Sequence, residues 1–356
     1  MEFLYQVHNV GIYIDNGDME WSNRVKQNVK NQFDGFEIYN GIRDIEYKII
    51  IKDMQELDRR NDAVVVPECS YYYDEGIMRS EYVKVAYQIL DRDIIMWTFE
   101  ETWYLLYMLE VLFVKQNMTF VHGASVAVDK KDGKLLLAFG GIGKTCFIAN
   151  AAKKKRVTML GDDLILVSNK GELYSYPRPF CLYEYHQALF PQYFKAHKVK
   201  YVHIEENMYV KRVFRKLKKI LKIKDNNVYS YITVSPVRLF PEEVVQVEPV
   251  KLSDIYVLRR NQKVDEISKS DISDVEQAVN YALNVILHEW DIGLKVILNQ
   301  HAQSNVNIVE YIKPRYEILK RAFGYAESVS CIDIPEKMTA TDVSSALNDI
   351  ILKEID

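Results

Sequence analysis

Over the first eighty residues, apolar and polar positions alternate or gather in short blocks. Residues 7–14 alternate in part, and 46–51 and 63–66 are short β-prone runs. Turn signals separate them at Asn16-Gly17-Asp18, Asp34-Gly35 and Asn40-Gly41. Pro67-Glu68-Cys69 and Tyr71-Tyr72-Tyr73 read as edge or loop packing. The pattern then changes. Residues 81–116 carry Trp97, Trp103, Leu106, Met108, Leu109, Leu112 and Phe113, which predicts a largely buried helix broken near 91–93. Residues 119–128 predict a strand and 130–133 a turn. The unbroken apolar run 135–139 predicts a strand covered on both faces. An amphipathic helix is expected over 146–152 and a solvated turn over 153–156. Two strand segments, 157–160 and 164–167, flank Gly161-Asp162-Asp163. Further on, Pro177 and Pro179 hold 174–179 extended. Residues 209–224 form a basic amphipathic pattern, with Val210, Val213, Phe214, Leu217, Ile220 and Leu221 on one face. Strands are expected at 255–258 and 329–334, and helices at 275–287, 314–322 and 341–353. The succession predicts an α/β protein: a β-rich N-terminal domain over 1–95, and a second domain over 96–356 with a basic helical insertion near 205–226.

Composition changes this picture little. With 356 residues, 48% hydrophobic and 27% charged, the chain has the balance of a folded soluble protein. Its net charge of −4 implies no whole-surface attraction to nucleic acid or anionic lipid, so a basic partner site must be local. Cys69, Cys146, Cys181 and Cys331 are scattered without C-x-x-C spacing, which argues against a disulfide framework or metal cluster and for a reducing compartment. The start, M-E-F-L-Y-Q-V-H, lacks the features of a signal peptide, and the apolar stretch 94–114 contains Glu100, Glu101 and Glu110. A cytoplasmic protein without a transmembrane segment is therefore expected.

The chemistry concentrates in K-L-L-L-A-F-G-G-I-G-K-T, residues 134–145. It reads as a buried strand, a glycine turn and the first turn of a helix. That is close to the phosphate-binding loop G-x-x-x-x-G-K-[ST], with Ala138 at the first glycine position. Backbone amides of Gly140, Gly141, Ile142, Gly143, Lys144, Thr145 and Cys146 would cradle nucleotide phosphates. Lys144 would reach the β- and γ-phosphates, and the Thr145 hydroxyl would bind Mg²⁺. Asp162-Asp163 at a strand boundary can place one carboxylate on Mg²⁺ and the other toward an attacking hydroxyl. His122, on the strand before the loop strand, can tune an acidic neighbour or orient substrate. Arg178, between two prolines, is a candidate substrate or phosphate contact, and an ordinary surface arginine fits the same pattern.

His122-Gly123-Ala124-Ser125, the loop over 140–145 and Leu160-Gly161-Asp162-Asp163 occur in this order and at similar spacing in HPr kinase/phosphorylase catalytic domains. The chain resembles that family, and the wider group of related bacterial kinases that includes peptide modifiers, over about residues 105–180. The resemblance implies a P-loop kinase domain of the HPr kinase/phosphoenolpyruvate carboxykinase-like type, using ATP and Mg²⁺. It also implies that His122 pairs with Asp162, that Asp162 is the catalytic base, that Asp163 joins Thr145 at Mg²⁺, and that Lys144 stabilises the transferring phosphoryl group. The glycine-rich L-E-x-R-G-[IL]-G signature of HPr kinases is missing, so neither HPr as substrate nor phosphorylase activity is implied. Nor does the resemblance reach the first 80 residues.

The leading expectation is a kinase acting on a hydroxyl, foremost a serine of a peptide or protein. A kinase of a small-molecule hydroxyl (free amino acid, sugar or nucleoside) is the second, and a non-catalytic nucleotide-binding adaptor the third. The basic helix at 209–224 offers a surface for an acidic partner, and oligomerisation is open.

Overall fold

The computed structural model describes residues 1–15, 18–39, 45–57, 63–66, 69–74, 76–80, 83–197, 200–201, 228–229, 231–240, 248–290 and 308–353. They form a mixed α/β protein with two mixed sheets. The basic helix expected at 209–224, the Asn16-Gly17 and Asn40-Gly41 turns, and Pro67-Glu68 lie outside the described residues.

The first sheet contains β1 (Glu2–Val7), β2 (Val10–Ile14), β3 (Tyr47–Asp53), β4 (Ala63–Val66), β5 (Cys69–Asp74), β6 (Ile77–Ser80), β7 (Val85–Ile89) and β8 (Asp93–Thr98), in the order β1-β2-β3-β8-β7-β6-β5-β4. The β2–β3 and β3–β8 pairs are parallel and the others antiparallel. A helix that the sequence reading did not anticipate, α1 (Met19–Phe33), makes the crossover from β2 to β3. Asp18 caps it by accepting from the amides of Glu20 and Trp21. Trp21, Val25, Val29 and Phe33 recur every four residues and form its buried stripe.

The helix expected over 81–116 is corrected. Val85–Ile89 and Asp93–Thr98 are paired strands, and only Leu105–Lys115 is helical (α2). Ile89 lies opposite Ile94, and the Leu90 amide donates to the Asp93 carbonyl, so Asp91-Arg92 is a hairpin tip, not a helix break. Ile94, Ile95 and Trp97 suit a pleated surface better than a helix. Residue 95, the expected domain boundary, falls inside β8, which belongs wholly to the first sheet.

The chain continues with β9 (Met118–Val128), β10 (Asp132–Leu137), α3 (Lys144–Ala151), β11 (Val157–Ser168) and β12 (Glu172–Tyr174). Then come β13 (Phe180–Leu182), α4 (Pro191–His197), β14 (Lys200–Tyr201), β15 (Val228–Tyr229), β16 (Ile232–Val234) and α5 (Pro236–Leu239). The last elements are β17 (Val250–Asn261), β18 (Ser268–Asp271), α6 (Val275–Glu289), α7 (Ile308–Phe323), β19 (Ser328–Pro335) and α8 (Ala340–Ile351). The second sheet runs β10-β9-β11-β12-β17-β19-β18, and β10 also pairs with β17, closing a ring of strands. Elsewhere β13 pairs with β16 and β14 with β15.

The unbroken apolar run of β10 follows from burial on both faces. Leu136 and Ala138 enter a core with Phe147 and Ile148 of α3 and Val343 and Leu347 of α8. Leu135 and Leu137 face the opposite core, with Val279 and Leu283 of α6 and Leu319 of α7. A third core joins the first sheet to the second: α2, Phe33 and Phe36 meet Phe120, Leu164, Tyr176 and Trp290. Inside this junction Glu110 of α2 accepts from the Thr119 hydroxyl at 2.6 Å and from Arg315 of α7 at 3.1 Å. Among the described residues, no helix is long and apolar enough to cross a membrane.

Candidate active site

The expected strand–loop–helix junction lies at the end of β10. Gly141 and Gly143 take φ of 77° and 106°, which L side chains rarely adopt. Gly143 is the N-cap of α3, no side chain caps that end, and the helix amides open onto the loop. Ala138, in place of the first motif glycine, is fully buried and is not among the positive-φ residues, so the loop begins in a conformation alanine accepts.

Lys144 is buried and turned back under the loop. Its ammonium donates to the carbonyls of Ala138 (2.9 Å) and Phe139 (2.8 Å) and to Nε2 of His122 (3.2 Å). Burial pulls its pKa down, and Asp162, Asp163 and Glu289 oppose that shift. The uncapped helix end, the glycine turn and this cation are features of the kind that receive anions.

The two aspartates diverge. Asp162 is buried, and its Oδ2 accepts from the Thr145 hydroxyl at 2.6 Å. Its Oδ1 is buried with no hydrogen-bond partner. Burial raises its pKa to about 6, with Thr145 and Lys144 opposing. The Thr145 hydroxyl and the Asp162 carboxylate are hard oxygen donors of the type Mg²⁺ takes, while among the described residues no group of three or more His, Cys, Asp or Glu is placed to hold a metal ion.

Asp163 follows at φ 76°, in a strand whose register shifts between Met159 and Gly161. The Thr145 hydroxyl bonds Asp162, not Asp163. Asp163 Oδ2 accepts from Nη1 of Arg178 at 2.5 Å, and its Oδ1 lies 3.4 Å from Nδ1 of His122. The expected pairing of His122 with Asp162 is therefore corrected: His122 meets Asp163. On β9 it stands opposite Leu164, and the left-handed turn at Asp163 swings that carboxylate toward the imidazole. Asp163 is also the more open of the pair, its side chain 49% exposed. Arg178 keeps a buried Nε without a hydrogen-bond partner.

The structure thus brings together His122, Lys144, Thr145, Asp162, Asp163 and Arg178. Ile142 and Cys146 are buried beneath the loop, and burial pushes the Cys146 thiol up to about 11.

The sequence reading singled out neither Glu289 nor the pair Tyr183 and Tyr185. Glu289, at the end of α6, has Oε1 3.9 Å from Nε2 of His122. A single glutamate in a helical pattern gives no signal of this, because only the return of α6 to the sheet places it. Tyr183 and Tyr185, after β13, are exposed and stacked with centroids 5.6 Å apart. Asp163 contributes to raising the pKa of Tyr183, and Cys146 and Asp162 to raising that of Tyr185, after burial in each case. The aromatic pair lies five and seven residues beyond Arg178, just after β13. Its visible trace in sequence was the dense aromatic spacing after Arg178.

No family model matches this chain, and no curated protein matches it.

Proposed function

We propose that this protein is an ATP- and Mg²⁺-dependent kinase that transfers the γ-phosphoryl group to a hydroxyl, with a serine of a peptide or protein as the foremost acceptor. The fold type proposed for it is the P-loop kinase of the HPr kinase/phosphoenolpyruvate carboxykinase-like group. The observation that carries the reading is the Thr145–Asp162 contact beside Lys144, with Asp162 Oδ1 unfilled. A merely structural glycine turn needs no buried lysine and no half-satisfied buried carboxylate next to it, since both cost stability.

In this reading the loop amides and the α3 N-terminus hold the phosphate oxygens. Lys144 trades its contacts to Ala138 and Phe139 for the β- and γ-phosphates as nucleotide enters. Thr145 and Asp162 would hold Mg²⁺, which would supply charge neutralisation on the phosphates when bound. Asp163 takes the proton of the acceptor hydroxyl as that oxygen bonds to the γ-phosphorus and the bond to the bridging β–γ oxygen breaks. His122 and Arg178 orient Asp163. The roles of the two aspartates are thus exchanged relative to the expectation above, because Asp162 is buried against Thr145 while Asp163 is open. Positioning and electrostatics supply most of the acceleration in this reaction class. Transfer of labelled γ-phosphate to a hydroxyl, dependent on Mg²⁺ and lost in Asp163→Asn, tests the reading.

A further inference from the structure

Arg178 reaches Asp163 from a strap, residues 174–179, that leaves the second sheet after Tyr174. One side of the strap is tied to β11. The Tyr176 amide (2.9 Å) and the Ser175 hydroxyl (2.6 Å) both donate to the Leu160 carbonyl. The other side is held by the first sheet's unit. The 3₁₀ turn that follows α1, Asp34–Tyr39, passes so close to Pro177 that a Cβ on Gly35 would collide with the Pro177 carbonyl oxygen and stand 3.3 Å from the proline Cβ. Phe36 packs edge-on against Tyr176 at 4.9 Å, and Tyr176 against Phe120 at 4.7 Å. From the β1–β2 turn, the His8 ring lies with Nε2 3.1 Å from the Ser175 carbonyl.

The aim of Arg178 depends on this strap. Its Nε has no hydrogen-bond partner, and its own amide donates to the Tyr176 carbonyl at 2.8 Å, a tight turn around Pro177. A shift of Pro177 would change where the guanidinium meets Asp163.

We propose that the first sheet's unit is a positioning device for the acceptor side of the site, and that Gly35 is its positioning residue: the turn presses on Pro177 and so fixes Arg178 on Asp163. The kinetic part of this inference rests on the kinase reading above. The structural part does not.

The test uses the full chain with Gly35→Ala, Arg178→Gln and their double variant. Val25→Ala, which thins the buried stripe of α1 away from the strap, serves as the destabilised control. Phe36→Leu, which loosens the contact with Tyr176 without a collision, covers the case in which Gly35→Ala does not fold. Amide exchange over 174–182 should speed up about tenfold in Gly35→Ala or Phe36→Leu relative to Val25→Ala. Turnover should fall as in Arg178→Gln, by about tenfold or more, with the ATP KM little changed, and the double variant should be no worse than Arg178→Gln alone. Strap exchange no faster than in the control, or Gly35 and Arg178 effects that multiply, would overturn the inference. If the wild type transfers no phosphate, the kinase reading fails while the exchange measurement still decides the positioning claim.

Discussion

The Lys144 ammonium donates to Nε2 of His122 across 3.2 Å, and this contact sets the state of the imidazole. Nε2 must offer its lone pair, so the ring proton sits on Nδ1, which faces Asp163 at 3.4 Å. Burial, and next the charge of Lys144, lowers the His122 pKa to about 4. A neutral histidine between a buried lysine and an open aspartate orients both and carries no charge of its own at neutral pH.

Removing the Lys144 charge should therefore have two effects. In Lys144→Met the His122 pKa rises, because a charge that holds it down is gone. Phosphoryl transfer falls by about a hundredfold or more through loss of a cation at the transferring group. Imidazole NMR titration and γ-phosphate transfer rates check the pair.

The pH dependence of stability should separate the two buried titrating groups. The Asp162 pKa rises from 3.8 to about 6 on folding, so its contribution to stability falls as pH climbs through that window. The His122 pKa drops from 6.5 to about 4, so its contribution grows over nearly the same window. Relative to wild type, the Tm of Asp162→Asn should rise from pH 4 to 6.5 and that of His122→Gln should fall. At pH 7 without ligands Asp162→Asn should be more stable than wild type by about 1–3 kcal/mol, since a costly buried charge is removed. Thermal melts across this range check both slopes.

The aspartates should also separate in function. Asp163→Asn should lose about two to four orders of magnitude in turnover, the range of a positioned general base, with the affinity for Mg²⁺-ATP retained. Asp162→Asn should lose the Mg²⁺ dependence of nucleotide binding. Equilibrium binding of a fluorescent ATP analogue with and without Mg²⁺, beside turnover, distinguishes them.

Far from the loop, Glu110 and Arg315 test the junction of the two sheets. Their side chains are 2% and 6% exposed, and burial raises the Glu110 pKa even with Arg315 beside it. Arg315→Met should cost about 3–5 kcal/mol by leaving a buried carboxylate without its charge partner. Glu110→Leu combined with Arg315→Met should recover much of that loss. Denaturant midpoints of wild type and the two variants give the comparison.

Much of the second sheet was legible because its chemistry and its periodicity agree. The short apolar run 135–139, closed by a glycine turn, reads as a strand buried on both faces, and Gly143-Lys144-Thr145 marked the helix start. The first sheet was less legible. The four-residue stripe of Trp21, Val25, Val29 and Phe33 behind Asp18 is a helix signal that the surrounding β-prone runs obscured. The β-branched and aromatic residues over 94–98 lean toward strand, but they head a long apolar run that also suits a helix, and pairing with β3 and β7 decides. At the site, the residue types were legible but not their pairing. Adjacent residues on a strand ordinarily face opposite sides, and the left-handed turn at Asp163 that redirects its carboxylate has no signature in an L-residue sequence. Glu289 is brought in by tertiary return alone.

The most direct measurement is transfer of γ-labelled phosphate from ATP with Mg²⁺, comparing wild type, Asp163→Asn and Lys144→Met against a pool of serine peptides and a pool of hydroxyl metabolites. The account predicts label on a hydroxyl with wild type, its loss in both variants, and nucleotide binding retained in Asp163→Asn. Intact nucleotide binding with no transfer to either pool, or transfer that survives both substitutions, would contradict it.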